Sequence, residues 1–155
     1  MPIPAGIPAP QFTLLDDTGK ERKLSDYLGH PLVLYFYPKD DTPGCTTEAC
    51  NFRDDYSVYR EAGVTILGVS PDSVNKHAKF KEKYSLPFTL LADTDHQVCE
   101  QYGVWGRKQF MGREYDGVFR TTFLIGADGV IVKVFENVKP DGHSAELLQA
   151  LQAGG

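Results

Sequence analysis

The longest unbroken apolar run is Pro31-Leu-Val-Leu-Tyr-Phe-Tyr37, in which nearly every position is hydrophobic. A strand with one face in water alternates, so a run without alternation predicts a central strand buried on both faces. Other segments follow distinct periods. From Pro43 to Ala62 the apolar residues Ala49, Phe52, Tyr56 and Tyr59 recur at helical spacing, and Gly63 supplies a stop. Gln11–Leu15 and Glu21–Leu24 flank Asp17-Thr18-Gly19, a hairpin signal, and Ser25 is placed to cap a short helical turn through Tyr27 and Leu28. Further along, the pattern predicts strands at Val64–Val69 and Phe88–Leu91 and helices at Ser73–Tyr84 and His96–Tyr102. Trp105–Asp116 reads as a long irregular segment. Phe119–Ile125 and Val130–Val138 read as strands joined through Ala127-Asp128-Gly129, and His143–Leu151 as a last helix.

The predicted order is β-hairpin, β, α, β, α, β, α, β, β, α. Early βαβ units require parallel pairing and the late hairpin adds antiparallel strands, so the expectation is an α/β mixed central sheet with helices on both faces. That layout is similar to a thioredoxin-like fold with an added N-terminal β-hairpin. No repeat, linker or low-complexity stretch divides the chain, and residues 1–155 are read as a single domain. At this length roughly 70% of the unfolded surface is buried on folding, so the core requires neither disulfides nor metal.

Composition narrows the partners. The formal net charge is −5, which disfavours nucleic acid, since no basic excess is available to neutralise phosphate. The lysines at 76, 79, 81 and 83 read as a solvated helix face interrupted by Glu82. Residues 1–12 carry four prolines and no Lys or Arg, unlike a signal peptide, and the apolar run at 31–38 is too short to span a membrane. A reducing cytosol is therefore the expected location. The three cysteines, Cys45, Cys50 and Cys99, make a poor disulfide framework, so each is kept for packing, metal or chemistry.

The chemistry concentrates in Pro38-Lys-Asp-Asp-Thr-Pro-Gly-Cys45-Thr-Thr-Glu-Ala-Cys50, after the carboxyl end of the buried strand, where open α/β sheets bind ligands. Thr42 suits an N-cap and Pro43 the first helical position. Cys45 then falls in the first turn, where unpaired N–H groups and the helix dipole favour thiolate over thiol. Cysteines so placed have pKa values of roughly 3.5 to 7.5. The Gly44 and Thr46 flanks suit access to this sulfur rather than packing. Cys50 lies five residues on. An intact helix rises about 1.5 Å per residue, so the two Cα atoms are about 7.5 Å apart along the axis. A disulfide needs about 4.4–6.8 Å. The two sulfurs can therefore join only if the helix start unwinds, and residues 42–52 should differ between reduced and oxidised forms. Cys99, beside Val98 and Tyr102, reads as structural. Alternation from Val118 to Ile125 puts Arg120 on one face with Val118, Thr122 and Leu124, where its guanidinium either pairs with an anion, such as a thiolate ending a neighbouring strand, or reaches solvent at a strand edge.

Two other functions use the same residues. A disulfide exchanger acting on proteins usually carries Cys-x-x-Cys, which is absent. A zinc module could use the Cys45/Cys50 spacing, but no second close pair completes it and His30, His77, His96 and His143 are scattered.

The segment resembles the peroxiredoxins. Their Pro-x-x-x-Thr-x-x-Cys signature appears as Pro38, Thr42 and Cys45, and the run Thr-Pro-Gly-Cys-Thr-x-Glu-Ala-Cys is similar to the bacterioferritin-comigratory, or Q-type, class. Phe88–Asp93, Tyr102–Gly106 and Arg120–Ile125 match as well. The resemblance implies an atypical two-cysteine thiol peroxidase acting on hydrogen peroxide and organic hydroperoxides. Cys45 is then the peroxidatic cysteine and Cys50 the resolving one. Thr42 binds peroxide and thiolate, Pro38 shields the site, Arg120 holds thiolate and substrate, and Glu48 matches an acidic position of the class. It implies a thioredoxin-type reductant, no metal, flavin or nicotinamide, and a monomer, with a dimer through the active-site loops as second choice. Cys99 remains an alternative resolver. Phe110, Met111 and Trp105 are read either as an apolar side of the pocket or as core.

Overall fold

A computed structural model describes residues 1–153; the last two residues of the predicted single domain lie outside the described residues. Strand β3 (Leu32–Phe36) is buried at every position, as its unbroken apolar run requires. It sits between β4 (Thr65–Ser70), which is parallel to it, and β8 (Thr121–Ile125), which is antiparallel. Beyond β4 lies β5 (Thr89–Ala92), also parallel, and then the antiparallel hairpin of β1 (Thr13–Asp16) and β2 (Glu21–Lys23). Strand β9 (Ile131–Phe135) closes the other edge of this seven-stranded mixed sheet.

The sheet has two cores because β3 alternates. Val33, Tyr35 and Tyr37 face one side, packed under α1 (Pro43–Asp54), α2 (Tyr56–Glu61), α3 (Val74–Tyr84) and α5 (His143–Ala153). Leu32, Leu34 and Phe36 face the other, under the N-terminal residues and α4 (Gln97–Gln101). No helix among the described residues is long and apolar enough to cross a membrane.

Four local expectations are corrected. The helix expected over 43–62 breaks at Asp55 (φ −95°, ψ 3°), because the Ser144 hydroxyl of α5 donates to Asp55 Oδ2 at 2.7 Å while Tyr59 donates to the Ser144 carbonyl at 2.8 Å. The short 3-10 turn is Leu24–Tyr27 and starts before Ser25; Lys23 is its cap, and the Asp26 carboxylate accepts the Lys23 N–H. The segment expected to be irregular pairs as a second, two-stranded sheet, β6 (Trp105–Phe110) with β7 (Arg113–Val118). Met111 (φ 52°) and Gly112 (φ 79°) close it, both in the left-handed region that tight hairpins demand. Finally, the strand expected from Phe119 begins only at Thr121. The break at Phe119-Arg120 resets the alternation, so Val118 packs with Phe123 and Ile125 instead of sharing a face with Arg120.

Gly68 of β4 stands opposite Tyr35 and Leu90 in the register. A Cβ there would meet the Tyr35 ring and hydroxyl at 2.9 Å and Leu90 at 3.0 Å, and neither neighbour has free space. Gly68→Ala is therefore expected to destabilise the protein by about 1–3 kcal/mol through overpacking. Urea titration should show a lower midpoint at unchanged slope; an unchanged midpoint would contradict this register.

Candidate active site

Strand β3 delivers the chain to Tyr37, whose N–H donates to the Val69 carbonyl, and the half-buried Pro38 then turns it into the loop that opens α1. Thr42 is the N-cap residue and Pro43 the first helical residue, as expected. The Thr42 hydroxyl does not cap, however. It donates to the Lys39 carbonyl at 2.9 Å, so it leaves the first α1 amides without a side-chain partner and keeps its own lone pairs for an incoming donor.

Cys45 sits in the first turn of α1. The Phe36↔Thr121 pairing of β3 with β8 puts Arg120 just past the end of β3, beside this turn. Arg120 Nη2 donates to Cys45 Sγ at 3.2 Å, and Nη1 donates to Glu48 Oε1 at 2.7 Å. One guanidinium thus links two residues of the same helix face. Gly44 permits this: a Cβ there would stand 3.2 Å from Arg120 Nη2 and 3.3 Å from Pro140 Cγ. Of the two alternatives open for Arg120, the structure shows the anion-paired one.

Access differs from expectation. Cys45 is only 1% exposed despite its polar flanks, since the Arg120 side chain and the loop through Pro140 lie against the start of α1. The Arg120 side chain is 15% exposed and forms the open side of the site.

The electrostatics are those of a dry cluster. Burial pushes the Glu48 carboxyl up to about 7, against the pull of Arg120, and Glu48 Oε2 has no partner. Burial opposes the charge on Arg120, but Glu48 and Cys45 outweigh it and its pKa is raised. Sequence reasoning missed Lys108. Its stem lies along Gly117, its Nζ donates to the Val118 carbonyl at 2.8 Å, and the Cys45 and Arg120 charges reach it. Burial and Arg120 lower its pKa, while Cys45 raises it. Only the β6–β7 pairing, invisible as alternation, brings Lys108 to the site.

Cys50 is half-buried on the same unbroken helix, and all three cysteines are free thiols. Cys99 is fully buried in the core across the sheet, with its thiol pKa pushed up by burial and by Asp93. A bond to Cys45 would have to cross the central strands. Phe110 and Met111 are 65% and 87% exposed at the hairpin tip, and Trp105 stacks on His96 at 4.0 Å. Phe110 and Met111 stand outside both cores, whereas the half-buried Trp105 packs against the core on the Phe36 side of the sheet. His96 is bonded to Glu100, and His143 to Thr122 and Glu146. Among the described residues, the group whose atoms could share a metal is Asp40, Asp72 and His77; His77 Nδ1 is bonded to Asp40 Oδ2, and Asp72 Oδ2 accepts the Asp40 amide and the Ser70 hydroxyl.

Comparison with known proteins agrees with this geometry. The model of the AhpC/TSA family matches residues 5–134. A putative peroxiredoxin Bcp of Coxiella burnetii is 56% identical over 97% of this chain and 100% of its own, and peroxiredoxin Bcp of Bacillus subtilis is 52% identical over 98% and 97%. A solved structure of the Xanthomonas campestris bacterioferritin comigratory protein superposes with a TM-score of 0.90 at 37% identity, covering 97% of this chain and 98% of that one. A thiol held by an arginine at a helix start, on a thioredoxin-like sheet matched along its whole length, places this chain in the AhpC/TSA family as a peroxiredoxin of the Bcp, or Q, type, a thiol peroxidase.

Proposed function

We propose that Cys45 is the peroxidatic residue, that Cys50 resolves it, and that the chain works as one domain. The observation that carries this reading is the Arg120 guanidinium donating at once to Cys45 Sγ and Glu48 Oε1. A peroxide entering over the open Arg120 side gives its proton-bearing oxygen to the sulfur. The Thr42 hydroxyl, whose proton is committed to Lys39, accepts the peroxide O–H. The S–O bond forms as the O–O bond breaks, and charge collects on the departing oxygen. Arg120 and the uncapped amides of the first turn stabilise that charge, more in the transition state than before it. Protonation of this oxygen releases water or an alcohol and leaves Cys45 as a sulfenic acid. Pro38 shields the reacting atoms from water.

Resolution follows. While α1 is intact the helical rise keeps Cys45 and Cys50 apart, so the first turns unwind before the Cys50 sulfur displaces hydroxide from the sulfenic acid, released as water, and a disulfide forms. A thioredoxin-type dithiol reduces it by exchange. The Xanthomonas relative is described for alkyl peroxide reduction, which supports organic hydroperoxides as substrates beside hydrogen peroxide. We further propose a cytoplasmic monomer.

Stopped-flow mixing with peroxide tests the roles. Cys45→Ser is expected to abolish peroxide consumption. Cys50→Ser should complete one turnover and stall, and Arg120→Ala should slow the first step by roughly 10²–10³-fold, the usual loss for one oxyanion donor. Retained consumption in Cys45→Ser refutes the assignment. Hydrogen exchange should show residues 42–52 less protected in the disulfide form. A further expectation concerns pH. Because Glu48 holds its proton more tightly folded than unfolded, its contribution is full below about 4.5 and is lost as pH rises through about 7. Glu48→Gln cannot ionise, so its stability relative to the native chain should improve between pH 5 and pH 8 in paired urea titrations.

A further inference from the structure

The loop that leads to Cys45 is held by a buried proton. His77 of α3 is fully buried, and its Nε2 lies 2.9 Å from the Leu91 carbonyl. A carbonyl only accepts, so Nε2 carries a hydrogen. Its Nδ1 lies 2.6 Å from Asp40 Oδ2, and a bond there requires one proton between the two atoms, whichever residue formally owns it. The other Asp40 oxygen accepts the Tyr37 hydroxyl at 2.5 Å. The Asp40 amide donates to Asp72 Oδ2 at 2.8 Å, which also accepts the Ser70 hydroxyl at 2.7 Å. Asp40 is thus tied to the residue just past β3, to the turn that follows β4 and to α3 at once.

The neighbouring contacts repeat the grip. Asp41 takes a left-handed backbone, φ 56°, and is held by Lys83 at 2.8 Å and Tyr84 at 2.7 Å, both from the end of α3. Arg53, in the last turn of α1, donates to the Tyr84 carbonyl at 2.8 Å. Helix α3 therefore holds the chain on both sides of the Cys45–Cys50 segment. The exposed pairs are worth little, so most of the hold rests on the dry Asp40–His77 bond.

We propose that His77 is a positioning residue of the peroxidase: through Asp40 it keeps residues 38–42 and the first turn of α1 in the geometry that attacks peroxide, and so sets how readily that turn unwinds toward Cys50. This rests on the roles given above to Cys45 and Cys50. A looser latch slows attack, because Thr42 and the helix amides lose their placement. It also speeds disulfide formation, because the unwound state is reached more often. The sulfenic acid then survives for less time, and a second peroxide, which would convert it to sulfinic acid and water or alcohol, captures less of it.

The test is rapid quench with mass spectrometry, counting thiol, sulfenic, disulfide and sulfinic forms against time. His77→Ala and Asp40→Ala are expected to slow sulfenic formation and to speed disulfide formation, each by about tenfold, the worth of one ordinary buried hydrogen bond. More peroxide should then be needed for sulfinic product. Asp40→Asn is the rescue: its amide donates to His77 Nδ1 and its carbonyl accepts from Tyr37, so both rates should return close to native. If the alanine variants do not fold by circular dichroism, Tyr37→Phe removes one bond of the latch and should move both rates in the same opposed directions. Rates that fall together, rates that stay native, or an Asp40→Asn variant behaving like Asp40→Ala would overturn the latch. Peroxide consumption surviving in Cys45→Ser would instead overturn the underlying cysteine assignment, which keeps the two failures distinct.

Discussion

The Arg120 guanidinium, lodged between the Cys45 sulfur and the Glu48 carboxyl, is the interaction on which the site depends. A cation in so dry a place is costly unless its partners are near and well aimed. Here both lie on one helix face, three residues apart, so a single rigid element presents them together. The same burial that strengthens these bonds pushes Glu48 toward neutrality.

That arrangement follows from sheet register. Strand β3 ends at Phe36 opposite Thr121, the first residue of β8. Arg120 lies just outside the sheet, where the chain has broken out of β7 and its side chain is released from strand alternation. Gly44 leaves the space into which the guanidinium fits. On the far side of the loop, β4 and α3 hold Asp40 and Asp41 through Asp72, His77, Lys83 and Tyr84. The helix start that carries the sulfur is thus positioned from both flanks, by β8 on one and α3 on the other.

Rigidity and release are in tension in this design. In the mechanism proposed above, peroxide attack needs the first turn of α1 intact, because its amides and Thr42 serve the reacting oxygen only in that form, and linking Cys45 to Cys50 needs the same turn opened. Such an element cannot be anchored by a continuous apolar face. Cys45, Ala49 and Phe52 are buried, but Pro43 and Thr47 are exposed and Thr42, Gly44, Thr46 and Cys50 are only half-buried. Polar ties, which exchange readily for water once exposed, suit a segment that detaches and returns in the proposed cycle.

Local information determined much of this protein. The unbroken apolar run at 31–37 specified a buried central strand, helical spacing through Ala49 and Phe52 specified α1, and Thr42-Pro43 marked its start, because each signal is set by neighbours within a few residues. The five-residue gap between Cys45 and Cys50 forbade a bond within an intact helix from geometry alone. Tertiary structure decided the rest. That Arg120 meets a sulfur 75 residues away, that Asp40 shares a proton with His77, that α5 breaks the long helix at Asp55, and that Cys99 lies across the sheet all depend on which strands adjoin and in what register. Periodicity tells a residue which way to face along its own element, and it carries no record of what another element will bring to meet it.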